Sequence, residues 1–225
     1  MIQISRSRCI CCGRCAVFCP VSAIRAGRIN QRACVECGVC VRDACRQGAI
    51  RRRRSPWPRA VRALFSDPTI EHRGTGVPGR GTEESKTNDV TNRIRPGRVG
   101  LNIELGRPCV GTSFRQVQQV TRRLARLGVE FEKHNPLTPM MSDGGRFPRE
   151  LLGERVLSVL VEVSMPVEAL RGALAALWAL EKLVRTVFSV SVVCRWADRP
   201  RALAQVDRRR LLPQAKINVG MAGRR

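Results

Sequence analysis

The feature that most constrains this chain is a cysteine pattern written twice in its first fifty residues. Cys9, Cys12, Cys15 and Cys19 follow C-x2-C-x2-C-x3-C spacing, with Pro20 next. Cys34, Cys37, Cys40 and Cys45 repeat it between residues 34 and 50. Each copy has three cysteines at x2 spacing, a glycine directly after the second (Gly13, Gly38), and a fourth cysteine five residues before an isoleucine (Ile24, Ile50). The copies differ at one point. Cys40 to Cys45 is x4, and Arg46 stands where the first copy has Pro20. The register returns at Ala49–Ile50, which matches Ala23–Ile24, so one residue is inserted and Cys45 keeps its role. The N-terminus has no continuous apolar h-region, which predicts a cytoplasmic protein. Thiols stay reduced there, so the eleven cysteines predict metal binding or catalysis, not disulfides.

The first copy has the spacing of the bacterial two-cluster ferredoxin run, C-x2-C-x2-C-x3-C-P. Residues 1–52 thus resemble a bacterial-type ferredoxin carrying two 4Fe–4S clusters. The resemblance implies crossed ligation, because the fourth cysteine of each run serves the other cluster. Cys9, Cys12 and Cys15 with Cys45 would hold one cluster, and Cys34, Cys37 and Cys40 with Cys19 the other. The competing metal is zinc, which C-x2-C pairs also bind. Zinc needs only four thiolates, usually as two separated pairs, and two quartets fit cubes better. Cys11 is a bystander on this reading, since using it breaks the x2 spacing. Cys109 falls in a loop after Pro108, and Cys194 on the inward face of a strand, where a small buried hydrophobe is expected.

Residues 53–98 read as linker or extended loop, because proline, glycine and charge dominate and no apolar period appears. Regular patterns begin at residue 99. Val99, Leu101, Ile103 and Leu105 alternate with polar or small residues, as a half-buried strand does. Ser113 and Gln116 predict a capping box for a helix whose stripe is Phe114, Val117, Val120, Leu124 and Leu127, ended by Gly128. "VEFE" predicts a short second strand. A third places Leu157, Val159, Val161 and Val163 on one face. Pro166 suits the first turn of a second helix striped by Val167, Leu170, Leu174, Leu177 and Val184. A fourth strand carries Phe188, Val190, Val192, Cys194 and Trp196 on its apolar face. The predicted class is α+β: the small two-cluster module, then over 99–197 a βαββαβ ferredoxin-like sandwich. In element order this unit resembles the ACT-like regulatory domains, which implies a docking or small-ligand role. Residues 198–225 read as a mobile basic tail.

The net charge is +23, and all but four of the 41 basic residues are arginine. Codon bias in a GC-rich genome gives such a skew, and an acidic partner is the sharper reading. Nucleic acid is disfavoured, as no binding motif is recognised and tyrosine is absent. No apolar run reaches the length of a membrane span. Gly74–Gly79 matches G-x-G-x-x-G, but no strand precedes it and Pro78 interrupts it, so a dinucleotide site is not predicted. His72 and His134 form no catalytic set, and Glu154, Glu162 and Glu168 read as surface charges. Arg51, Arg52, Arg53 and Arg54 directly follow the second cysteine set and predict a positive field there, steering an acidic partner.

These readings converge on an iron–sulfur carrier of single electrons with no catalytic residues of its own. Its partner would be a redox protein with an acidic docking face. The alternatives are the cluster-bearing subunit of an anaerobic reductase, with a substrate pocket between the domains, and a cluster-containing regulator of nucleic acid.

Overall fold

A computed structural model describes residues 1–74, 76 and 92–210. The chain is α+β. The N-terminal unit is closed by its two ends: strand β1 (Ile2–Ile4) and strand β4 (Ile50–Arg52) pair antiparallel, with Ile4 opposite Ile50. Between them lie a one-turn helix α1 (Arg14–Val17) and a two-residue hairpin, β2 (Ile24–Arg25) with β3 (Arg28–Ile29). The core of this unit is small, with Ile2, Ala23, Ile24, Cys34, Cys40 and Ile50 as its buried residues. A unit of this size buries too little apolar surface to be stable without additional staples.

The C-terminal unit is built on a four-stranded antiparallel sheet. Its strands are β5 (Arg98–Leu105), β7 (Glu130–Phe131), β9 (Val159–Pro166) and β10 (Phe188–Cys194), in the spatial order β10-β5-β9-β7. Two long helices, α3 (Phe114–Ala125) and α4 (Leu170–Trp178), pack on one face. That face is written in the alternation. Val99, Leu101, Ile103 and Leu105 of β5 and Val159, Val161, Val163 and Met165 of β9 are all buried in one cluster with Phe114, Val117, Val120, Leu124, Leu170 and Leu177. A smaller ladder joins β6 (Thr112–Ser113) to β8 (Arg155–Val156) beside the start of α3.

Several expectations need correction. The stretch 53–98 is not all linker. Helix α2 (Ala60–Leu64) forms in it, and Val61 and Phe65 are buried in the C-terminal core, where Phe65 meets Phe114 edge-on with ring centroids 5.6 Å apart. The tail begins with order, since helix α5 (Arg199–Ala204) docks through the buried Ala202. A 3-10 turn follows at Arg208–Arg210, and residues 211–225 lie outside the described residues, as do most of Gly74–Gly79. Ser113 caps α3 through extended backbone without a side-chain hydrogen bond, so the capping box is not formed. Leu127 lies past the end of α3 and is exposed. Leu157 falls in the break between β8 and β9. Pro166 ends β9, and α4 is entered through a single 3-10 turn. Trp196 lies beyond β10 in another 3-10 turn and is 66% exposed. The strand itself is an edge, paired only with β5, so its apolar face is only half covered. Glu162 is buried, where Asn135 Nδ2 donates to it at 2.6 Å, and Glu154 is paired and mostly covered. Glu168 is exposed.

Candidate functional site

The sequence repeat is also a backbone repeat. The residue before each second cysteine, Cys11 and Glu36, has positive φ (55° and 60°). The following glycines, Gly13 and Gly38, are left-handed as well (75° and 77°). The third residue after each fourth cysteine, Ser22 and Gly48, adopts it too (51° and 58°). These alternations of handedness curl each C-x2-C-x2-C run so that its three thiols face inward. The inserted residue of the second copy is absorbed in one turn. Where the first copy has the short helix α1, the second has a π turn, Cys40–Ala44, in which Cys45 N–H donates to the Cys40 carbonyl at 3.2 Å. A π turn accommodates one residue more than an α turn and leaves the flanking chain in register. Cys45 is thereby followed by a left-handed residue three positions on, Gly48, as Cys19 is by Ser22.

The thiols form two groups. Cys9, Cys12, Cys15 and Cys45 line one cavity of about 290 Å³, with Ile4, Ile24 and Ile50 among its apolar walls, and the exposed Cys11, set aside on spacing, is in its lining too. Cys19, Cys34, Cys37 and Cys40 line a second, narrower one. Each copy thus lends its fourth cysteine to the other copy's group. Gly27 closes over the first cavity, and a Cβ there would touch Cys9 Sγ at 3.9 Å. Burial pushes the Cys15 thiol up, and the nearby Cys9, Cys12 and Cys45 push the same way. Burial, followed by Cys37, Cys34, Cys19 and Cys15, pushes Cys40 up to about 12. Cys34 and Cys37 are raised mainly by burial too. The two groups are therefore neighbours, close enough for Cys15 to act on Cys40. Among the described residues, no three His, Cys, Asp or Glu side chains converge as a single-ion site.

The two groups differ in their surroundings. Around the first, Cys11 and Cys12 are exposed, as are Ile10 and Val17. Around the second, Cys34, Cys37 and Cys40 are buried, and three arginines hold the loop, of which only Arg52 belongs to the run that follows the second cysteine set. Arg42 pairs with the fully buried Asp67 at 2.8 Å and donates to the Cys37 carbonyl at 3.1 Å. Arg52 pairs with Asp67 and donates to the Glu36 carbonyl at 2.9 Å. Arg59 pairs with the buried Glu36 at 2.6 Å. Burial pushes the Asp67 carboxyl up, but the Thr69 N–H and hydroxyl and the Arg52 guanidinium outweigh it and hold the group below its ordinary value. The one sequence signal for this belt was the i, i+4 pair Val61 and Phe65 inside an otherwise patternless stretch.

The run Arg51–Arg54 is thus divided. Arg52 turns its head to Asp67, and Arg51, Arg53 and Arg54 are exposed. Cys109 is exposed, and its backbone N–H donates to the carbonyl of Pro20 at 2.5 Å, beside Cys19. Cys194 is half-buried at the sheet edge. His134 sits beside Glu132, away from both thiol groups. Among the described residues, no helix is long and apolar enough to cross a membrane. Comparison with protein-family models, curated proteins and solved structures found no match.

Proposed function

We propose that this chain is an iron–sulfur protein that passes single electrons through two 4Fe–4S clusters. Cys9, Cys12, Cys15 and Cys45 would hold one, and Cys34, Cys37, Cys40 and Cys19 the other. The observation that carries this reading is the exchange of Cys19 and Cys45 between the two cysteine loops, so that each cavity has its three x2-spaced cysteines and the other loop's fourth, with Cys11 an additional cysteine in the lining of the first. A tetrahedral zinc draws four sulfurs to about 2.3 Å from one point. Thiols standing around an apolar cavity suit a larger group with several metal atoms. When bound, the clusters supply one-electron redox chemistry. The chain's own residues ligate them, exclude water with Ile4, Ile24 and Ile50, and set the local charge.

The C-terminal unit is best read as a ferredoxin-like sandwich of the ACT-like kind, serving partner docking or ligand sensing. The strand order β10-β5-β9-β7, with two helices on one face, supports this. The redox partner should be acidic where it docks. No aspartate or glutamate occurs before Glu36, whereas Arg6, Arg8, Arg14, Arg25, Arg28 and Arg32 all do.

Protein purified without oxygen should contain about eight irons and eight sulfides, with a broad visible absorbance that bleaches on reduction. Replacing Cys45 should damage the cluster of Cys9, Cys12 and Cys15, and replacing Cys19 the other one. Stoichiometric zinc without iron or sulfide would overturn the proposal. Loss confined to each cysteine's own loop would overturn the crossed assignment.

A further inference from the structure

Arg62 is 7% exposed, and a guanidinium so buried must be paired and hydrogen-bonded to be tolerated. Its partners come from opposite sides. Nη1 donates to the carbonyls of Cys34 (2.6 Å), Gln31 (3.0 Å) and Arg32 (3.3 Å), all in the loop that enters the second thiol group. Nε donates to the carboxylate of Glu154, which lies just before β8. The Glu154 carbonyl in turn accepts the N–H of Phe114, the first residue of α3, at 3.1 Å. One side chain therefore spans from a cysteine backbone of the second group to the start of the first helix of the C-terminal unit. Its neighbours fix it in place. Val61 and Phe65 are sunk in the C-terminal core, and the Ser66 hydroxyl accepts the Leu157 N–H at 2.8 Å. The first thiol cavity has no part in this joint, since Gln31, Arg32, Cys34, Arg62 and Glu154 are all absent from its lining.

We propose that Arg62 is a positioning residue that couples the C-terminal unit to the second thiol group, so that a change at Glu154 is read as a change in that group's redox equilibrium. The coupling rests on the two-cluster reading above. The step it governs is the transfer of one electron. An external single-electron donor is oxidised by one electron, the cluster is reduced by one, and no bond or proton moves. A buried positive charge beside Cys34 favours the more negative, reduced state, and the Glu154 carboxylate offsets that charge. Anything that draws residues 152–154 away from Arg62, such as occupancy of the C-terminal unit, uncovers the charge and makes the second cluster easier to reduce. The first cluster stays as it was.

Redox titration of the intact chain, following each cluster by its paramagnetic signal, tests this. Arg62→Gln should shift the electron distribution severalfold away from the second cluster. Glu154→Gln should shift it severalfold toward that cluster, and Arg62→Lys should retain most of the wild-type balance. The first cluster should hold its potential in all three. Equal shifts of both clusters, or no shift in Glu154→Gln, would overturn the coupling; Glu154→Gln and Arg62→Lys decide the matter if Arg62→Gln fails to fold. Iron and sulfide content of the wild type judges the parent reading separately. Full clusters with unmoved potentials sink the coupling alone, and a wild type without iron or sulfide sinks both.

Discussion

Gly13 and Gly38 hold equivalent places in the two cysteine loops and face unequal neighbourhoods. Both are left-handed, so a side chain at either costs about 1–2 kcal/mol in backbone strain. A Cβ on Gly13 would meet nothing within 4 Å. On Gly38 it would lie 2.7 Å from Asp67 Oδ2 and closer still to the guanidinium ends of Arg42 and Arg52. Gly13→Ala should therefore lose about 1–2 kcal/mol, the strain term alone. Gly38→Ala should lose at least twice as much, because it must also part the Arg42–Asp67–Arg52 pairs. Denaturant midpoints of the two variants check this, and equal losses would show that the arginine belt yields freely. From the sequence the two glycines are indistinguishable. The repeat reveals that both must be left-handed, but the neighbours of Gly38 come from residue 67, which no local pattern connects to it.

At the scale of elements, α2 has the largest consequence for its length. Five residues of helix would not persist alone in water. It exists because Val61 and Phe65 are held in the C-terminal core while Arg59 and Arg62 are held by the second cysteine loop. Phe65→Ala should therefore cost about 3–5 kcal/mol, as truncation of a fully buried aromatic does. It should do so in the unfolding of the C-terminal unit, although residue 65 lies outside the regular stretch that begins at Arg98. Chemical denaturation followed by tryptophan fluorescence measures it, and a loss under about 1 kcal/mol would place Phe65 at a compliant site. Strands β5 and β9 were legible because they are central, and burial on one face enforces strict alternation there. Strand β10 was legible in position but not in extent. An edge strand covered on one side leaves Val192 and Trp196 to solvent, so apolar spelling no longer marks an inward face. Glu162 was misread as a surface charge for the opposite reason. It lies on the far face of β9, and alternation alone cannot tell a covered polar face from a wet one. The extra residue before Cys45 was legible as an insertion, but its solution as a π turn depends on backbone hydrogen bonding that spacing does not encode.

Taken as a whole molecule, the chain has one open thiol group and one enclosed one. Cys12 is exposed and the first cavity is roomy, whereas Cys34, Cys37 and Cys40 are buried beneath ion pairs anchored on Asp67 and Glu36. On the two-cluster proposal, a ferrous chelator should remove iron in two phases of equal size, the fast one from the site of Cys9, Cys12, Cys15 and Cys45. The colour of the chelate over time reports it. A single phase would mean that the enclosure of the second site opens as readily as the first is reached. Asp67→Asn, which weakens the hold of Arg42 and Arg52, should hasten only the slow phase.

The exchange of Cys19 and Cys45 has a mechanical meaning as well. With both sites loaded, the hairpin turn at Ala26–Gly27 joins two segments that are also tied to each other twice through metal. Cutting the chain at that exposed turn would then release nothing, because each fragment would hold one sulfur bond into the other's cluster. The same crossing would make assembly indivisible. On the crossed two-cluster proposal neither loop would supply a full set of four ligands, so the first site would not be completed until residue 45 had been synthesised, and whatever inserts the iron would have to meet the two loops together.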